Sequence, residues 1–287
     1  MNEITLLTPA KINLCLNVLA KRPDGYHDVE MLMQAVGLYD TVTVRLGGSG
    51  ISVVCDHDAV PSGEGNIAWR AAHEMLKRTG RSDGVAIVIK KTIPVAAGLG
   101  GGSSDAAAVL AACNHLLDAG LGTAELAAIG ARLGMDVPFF FSGPLALAQG
   151  RGELLTRLAP LSKFWVLLVN PGFGTSTAWA YNNVNLGLTK KVDCNKIAGL
   201  TIGQIADSLH NDLEAVTAEA HPVVLEMEQA LLASGALGAR MSGSGPTVFG
   251  VFQTEAACRS AAEKLLANGW HLYPAQILTE PLYEGLI

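Results

Sequence analysis

The segment Pro94-Val-Ala-Ala-Gly98-Leu-Gly100-Gly101-Gly102-Ser103-Ser104-Asp105 constrains this chain more than any other, because four of the five residues from Gly98 to Gly102 are glycine. Glycines permit positive φ and let a ligand approach the backbone closely. The run before them, Gly84 to Ile89 (GVAIVI), is β-branched and predicts a strand. The run after them, Ser104 to Asp118 (SDAAAVLAACNHLLD), carries alanine and leucine at helical spacing and predicts a helix. A glycine loop that feeds a helix N-terminus presents unpaired N–H groups at the positive end of the helix dipole, so phosphate is the ligand it suits. Ser103 and Ser104 add hydroxyls, and Asp105 falls in the first helical turn, where a carboxylate is favoured. A plain strand-to-helix turn needs one or two glycines, not four followed by two serines.

The familiar nucleotide motifs do not account for this loop. No Gly-Lys-Ser/Thr closes it, as a Walker A loop requires, and Ser103 stands where a dinucleotide fingerprint has its third glycine. The His-Arg-Asp and Asp-Phe-Gly signatures of protein kinases are absent. The net charge of −6 excludes the cheap route to nucleic acid, which needs a concentrated basic surface, so phosphate must be held locally. No apolar run approaches a membrane span, and residues 1–20 read as a strand rather than a leader, which gives a cytoplasmic protein as the expectation. Five scattered cysteines, Cys15, Cys55, Cys113, Cys194 and Cys258, with no C-x-x-C pair, read as reduced thiols, mostly in the core.

At 287 residues the chain is long enough for two closely fused domains. Alternation predicts strands over 3–20 and 40–46, and helical spacing predicts a helix over 66–79 that stops at Gly80. Further helices are expected at 123–133, 175–186, 221–234 and 254–268, and strands near 144–149, 164–169, 247–252 and 274–278. The mixture is α+β. The turn-rich stretch Gly150 to Lys163 is the least structured boundary, which places domains at 1–158 and 159–287. Residues 183–215 carry no assignable pattern.

With PVAAGLGGGSSDAA at 94–107, TPAKINLCLNVLAKRPDGYHDVEM at 8–31 and ARMSGSGPTVFGVF at 239–252, the chain resembles the GHMP superfamily of small-molecule kinases, which includes galactokinase, homoserine kinase, mevalonate kinase and phosphomevalonate kinase. The three motifs come in the family's order and span nearly the whole chain. The resemblance implies a ribosomal-protein-like N-terminal fold and a ferredoxin-like C-terminal α/β sandwich with the active-site cleft between them. It also implies ATP, accompanied by Mg²⁺, as phosphoryl donor. The joined pattern P-A-K-I-N-L-x-L, R-x-D-G-Y-H and L-G-x-D-V-P-F-F at 133–140 is similar to one branch of that family. That branch implies a methylerythritol acceptor, linked to cytidine diphosphate and phosphorylated on its 2-hydroxyl.

Phosphoryl transfer asks a protein for positioning, charge stabilisation and a group to receive the hydroxyl proton. Asp136, between a helix and the apolar run VPFFF, is the candidate acceptor, since a carboxylate there is out of place unless paired or used. Lys11 breaks an apolar alternating strand, and the resemblance implies that it reaches Asp136 and the acceptor oxygen. Read alone, a solvent-facing strand lysine and an Asx-turn aspartate would explain both residues. For the nucleotide, the resemblance implies Asn66, Pro94, Gly98, Leu99, Gly100, Gly101, Gly102, Ser103 and Ser104; Asn66 also suits an ordinary helix N-cap. For the acceptor it implies Asn13 and Asp136, Tyr26 stacked on cytosine, His27 reading the base edge, and a second plate from Tyr181, with Trp179 as its rival. From composition alone, Tyr26 and His27 belong to an ordinary P-D-G turn, and Tyr181 could be a core aromatic.

Alternatives stay open at this stage: a sister kinase for homoserine or phosphomevalonate, a silent nucleotide-binding protein, or an RNA-binding relative. The partners expected are a small-molecule substrate and no nucleic acid or membrane, in a monomer or weak homodimer. No acidic metal ligand stands out.

Overall fold

The computed structural model describes residues 2–187, 191–283 and 285–287. Its frame is a long antiparallel hairpin, β1 (Glu3–Lys21) and β2 (His27–Leu46). The sequence predicts only the last third of β2; the rest pairs with β1 from His27 onward, so the polar segment Arg22 to Tyr26 is the hairpin turn. Its Arg22 N–H donates to Tyr26 O at 2.8 Å, and Gly25 adopts φ +86°. The hairpin recruits β3 (Ile51–Cys55), β4 (Val85–Lys90), β5 (Leu145–Gly150) and β6 (Leu154–Arg157) into a sheet of order β3-β4-β2-β1, with β5 on the far half of β2 and β6 beyond it. Against the sheet lie α1 (Ile67–Thr79), α2 (Gly101–Leu116), α3 (Thr123–Leu133) and the single turn α4 (Phe139–Ser142).

The first helix follows its sequence signals closely. Asn66 caps it, accepting from Ala68 N at 2.8 Å, and Gly80 ends it at φ +66°. The second begins three residues before the expected Ser104, with Gly100 in the left-handed region at its N-cap. It is buried almost all round, which is why its apolar pattern runs on without an amphipathic break.

A second sheet of order β11-β7-β10-β9 is built from β7 (Trp165–Asn170), β9 (Gly238–Met241), β10 (Val248–Phe252) and β11 (His271–Gln276). Its helices are α5 (Thr177–Asn183), α6 (Ile202–Asp207), α7 (Glu214–Ala220), α8 (Val223–Ala233) and α9 (Glu255–Leu265). The last strand starts three residues before the expected 274. A two-residue strand, β8 (His210–Asn211), leaves this half to pair in parallel with Cys15 and Leu16 of β1. The unassigned stretch 183–215 therefore holds a short 3₁₀ turn, a helix and this strand, with residues 188–190 outside the described set.

Strand β1 is buried continuously from Thr8 to Val18 because both its faces are covered. Leu16 and Val18 join the core under α1 and α2, while Ala10, Ile12, Leu14 and Cys15 join a second core with Phe249 and Val251 of the other sheet. The pairing with β2 skips Leu14, passing from Asn13 to Cys15. That bulge leaves Lys11, Asn13 and Leu16 lining one cavity.

The cysteine expectation is corrected here. Cys15 and Cys194 form a disulfide across 179 positions of sequence, leaving Cys55, Cys113 and Cys258 free. Spacing alone cannot reveal such a pair, because β1 and the 3₁₀ turn at Cys194–Gly199 meet only through the tertiary fold.

Candidate active site

A cavity of about 810 Å³ opens between the glycine loop, the hairpin turn and the segments that carry Asp136 and Tyr181. Its floor is Lys11. The ammonium donates to Asn13 Oδ1 at 2.7 Å and to the carbonyl of Gly98 at 2.9 Å, and lies 3.8 Å from Asp136 Oδ2. Lys11 is 4% exposed, and burial pushes its ammonium down from the ordinary lysine value while the Asp136 charge pulls it back. Asp136 is not the buried carboxylate that the apolar run suggests. Its side chain is 31% exposed because the turn between α3 and α4 aims it into the cavity.

The glycine loop is held from the opposite side. Gly98 sits at φ +77°, and a Cβ there would lie 2.0 Å from the carbonyl of Ser242, so no other residue fits. Gly98 O also accepts from Ser242 Oγ at 2.9 Å. The C-terminal turn Met241 to Thr247 thus touches the same carbonyl as Lys11. Gly100, at the N-cap of α2, supplies no side-chain cap, so the amides that follow it are free of one. Pro94, Gly98, Gly100, Gly101, Gly102 and Ser103 line the cavity.

Two of the expected loop contacts turn away. Ser104 is fully buried, donates to Pro9 O at 2.6 Å and lies against Thr8 Oγ1, so its hydroxyl ties the helix to β1 rather than facing the cavity. Leu99 is buried with its side chain in the second core, and its carbonyl accepts from Lys11 N at 2.9 Å. Asn66 lines the cavity, but both ends of its amide are engaged, one by Ala68 N and the other by Pro61 O at 2.7 Å.

The other end of the cavity is aromatic. Tyr26 is half exposed, and the His27 and Tyr181 rings stack at 5.5 Å between centroids with 29° between planes. Burial, then the charge of Lys21, holds the His27 imidazole below its ordinary value, so near neutral pH it offers one donor and one acceptor. Burial first and the Asp136 charge second push the Tyr181 phenol up, which keeps it neutral. Trp179 lies outside the cavity lining, edge-on to His221 at 6.3 Å.

Sequence reasoning missed three groups. Beneath the loop, Lys91 is buried between Asp40 and Asp105, 2.9 Å from Asp105 Oδ2. Asp105 Oδ1 has no partner among the described residues, and burial is the first cause of a carboxyl pushed up to about 7. In the unassigned stretch, Asn211 donates to the carbonyls of Met241 and Gly243, both at 2.8 Å, while Glu214 Oε2 accepts from Met241 N at 2.8 Å. The run Asn211-Asp-Leu-Glu214 carries a local signal, since Asn211 Oδ1 accepts from Leu213 N in an Asx turn. Nothing local tells which turn it braces. The third is Arg151, whose guanidinium carbon stands 5.2 Å from the Tyr26 ring centroid.

The models of the GHMP kinases N terminal domain and GHMP kinases C terminal match residues 66–144 and 195–271. The chain is 50% identical to a 4-diphosphocytidyl-2-C-methyl-D-erythritol kinase of Pelobacter propionicus over 97% of its own length and all of that protein's. It is 46% identical to the enzyme of that name from Geobacter metallireducens, with the same coverage. A crystal structure of 4-(cytidine 5'-diphospho)-2C-methyl-D-erythritol kinase superposes with a TM-score of 0.84 at 34% identity, covering 96% of this chain and 99% of the other. Homoserine kinase from Cytophaga hutchinsonii, at 21% identity and a TM-score of 0.75 over 98% and 96% of the two chains, shares the fold. Two domain models, near-complete relatives at half identity and a common fold agree with the loop, the turn and the hairpin: the chain belongs to the GHMP kinases, in the family of 4-diphosphocytidyl-2-C-methyl-D-erythritol kinases.

Proposed function

We infer that the chain transfers the γ-phosphoryl group of ATP to the 2-hydroxyl of 4-diphosphocytidyl-2-C-methyl-D-erythritol, giving the 2-phosphate and ADP in the non-mevalonate route to isoprenoid precursors. One observation carries the reading. A single cavity joins a glycine loop at one end, an aromatic pair at the other and the Lys11–Asp136 pair between them.

The uncapped amides after Gly100 suit triphosphate oxygens, and Ser103 is the loop hydroxyl on the cavity side. No cluster of three or more His, Cys, Asp or Glu exists among the described residues, so Mg²⁺ would be held chiefly by the phosphates, with the Ser103 hydroxyl as the loop oxygen on the cavity side. Such an ion supplies charge neutralisation of the transferring group. Asp136 takes the proton of the acceptor hydroxyl as its oxygen bonds to the γ-phosphorus and the bond to the β-phosphate oxygen breaks. Lys11, 3.8 Å from the Asp136 carboxylate, stabilises the acceptor oxygen as it gains charge. Tyr26 and Tyr181 supply faces for cytosine and the neutral His27 imidazole reads its edge. Asn13 is hydrogen-bonded to Lys11 and lines the same cavity, which supports a role for it in holding the acceptor.

The sheet membership supports a division near residues 158 and 159, since strands up to Arg157 lie in the first sheet and those from Trp165 in the second, β8 excepted. A cytoplasmic monomer or weak homodimer remains our reading; no helix among the described residues is long and apolar enough to cross a membrane, and the acidic balance argues against nucleic acid.

The test is ADP release from ATP and Mg²⁺ with the cytidyl acceptor, beside homoserine, mevalonate and phosphomevalonate. Turnover with the cytidyl acceptor alone is expected. Turnover with another acceptor would discard the cytosine pocket, and silence with all four would discard the kinase.

A further inference from the structure

We propose that Arg151 holds the diphosphate of the acceptor substrate, an inference that rests on the cytidine diphosphate reading above. Among the described residues, three lysine or arginine side chains line the cavity: Lys11, Lys91 and Arg151. Two are already committed. Lys11 is taken by Asn13, Gly98 and Asp136, and Lys91 by Asp40 and Asp105. Arg151 is ion-paired with Glu153 through Nε, 3.2 Å from Oε1, its backbone N–H donates to Glu153 Oε2 at 2.7 Å, and its charge also acts on the Asp24 carboxylate in the same lining, but these contacts leave its terminal nitrogens unengaged. Among the described residues, no acceptor receives a hydrogen bond from its two terminal nitrogens. The nearby Arg22 is not available, because Asp24 and Asp28 hold it outside the cavity lining.

Position adds to availability. The guanidinium lies over the Tyr26 ring, and the next residue, Gly152, packs so closely on the other side that an added Cβ would sit 3.0 Å from Met31 Cε and 3.9 Å from Met135 Cβ. Arg151 therefore lines the cavity at its aromatic end, and the residue after it packs near Met135, the neighbour of Asp136. In a substrate that joins cytidine to a polyol through two phosphates, those phosphates must pass between the aromatic end and Asp136. A guanidinium offers two parallel donors that match adjacent phosphate oxygens. Glu153 and the Tyr26 face fix it in advance, which lowers the ordering cost on binding.

The experiment measures binding of cytidine, CMP and CDP to the wild-type chain, to Arg151→Gln and to Arg151→Lys by calorimetry, with thermal melts to verify folding. We expect the wild type to favour CDP over cytidine by roughly tenfold or more. Arg151→Gln should bring the two within about twofold, the range left once the charge-assisted contact is gone, with cytidine affinity unchanged; Arg151→Lys should fall between. In turnover the same variant should raise the KM of the cytidyl acceptor and leave that of ATP unmoved. Retention of the CDP preference in Arg151→Gln would overturn the proposal. So would a parallel loss of cytidine and CDP, which would mean that Arg151 only props Tyr26, or a rise in the ATP KM instead of the acceptor KM, which would assign the charge to the nucleotide. A wild-type chain that binds neither ligand would overturn the cytosine pocket itself, a result that needs no variant and is therefore distinct.

Discussion

Lys11 and Gly98 meet through one hydrogen bond, 2.9 Å from the ammonium to the loop carbonyl, and that bond joins the residue that faces Asp136 to the glycine loop. The same carbonyl accepts from Ser242 of the C-terminal turn. Three segments far apart in sequence are thereby fixed around one atom, and phosphoryl transfer depends on that kind of fixed positioning.

Asp136→Asn keeps the shape of the side chain and removes its ability to take a proton. A loss of kcat of about 10²- to 10⁴-fold is expected, with the acceptor KM little changed. Because Asp136 reaches the cavity rather than the core, the melting temperature should hold. Steady-state kinetics beside a thermal melt check this, and wild-type turnover in the variant would remove Asp136 from the mechanism.

Gly98→Ala should separate two roles of glycine in the loop. It places a methyl group 2.0 Å from Ser242 O at a backbone angle of +77°, so a loss of about 1–3 kcal/mol in stability and a rise in the ATP KM are expected. Gly102→Ala, whose nearest neighbour would be Ile67 Cγ2 at 3.8 Å inside α2, should leave stability within about 1 kcal/mol of wild type. Urea midpoints of both variants decide it.

Asp105 makes stability depend on pH in an unusual direction. Burial, with Asp40 beside it, raises its folded carboxyl to about 7 from the ordinary 3.8, so between those values the folded state binds more protons than the unfolded one. Stability attributable to this group is present below about pH 4 and is lost as pH rises toward about 7. Asp105→Asn should flatten that slope. Urea unfolding of both proteins across this window provides the measurement, and parallel slopes would refute the assignment.

Asn211→Ala leaves two buried carbonyls, those of Met241 and Gly243, without their donor. A destabilisation of about 2–4 kcal/mol is expected. Since Gly243 packs close to the Lys11 ammonium, kcat should fall as well, although Asn211 lines no part of the cavity. Asn211→Asp, which offers acceptors in place of the amide donors, should do no better than alanine in either assay.

How much of this was legible beforehand depends on whether a residue's role is written in its neighbours. The loop was readable because glycine number, spacing and an adjoining helix are local facts, and the helix at 67–79 was readable because Asn66 and Gly80 punctuate it. Tyr26 and His27 could be placed on a turn, though the turn's position at the tip of a 20-residue strand required the pairing of β2 with β1. Two adjacent serines look alike in sequence, and only helix phase turns the Ser104 hydroxyl toward Pro9 and leaves Ser103 on the cavity. Lys91 and Arg151 carry no usable signal, and the Asx turn of Asn211 does not name the turn it braces, since each acts on a partner at least 14 positions away.

The sequence by itself determined the local chemistry: a phosphate-suited loop, a lysine and a carboxylate out of place in apolar runs, and an aromatic–imidazole turn. Tertiary structure alone decided that Lys11 lies 3.8 Å from Asp136, that Cys15 is bonded to Cys194, and that a C-terminal turn grips Gly98. Backbone propensity acts over a few residues, whereas these contacts arise only when two sheets and their helices bury their apolar faces together and leave a polar cavity between them.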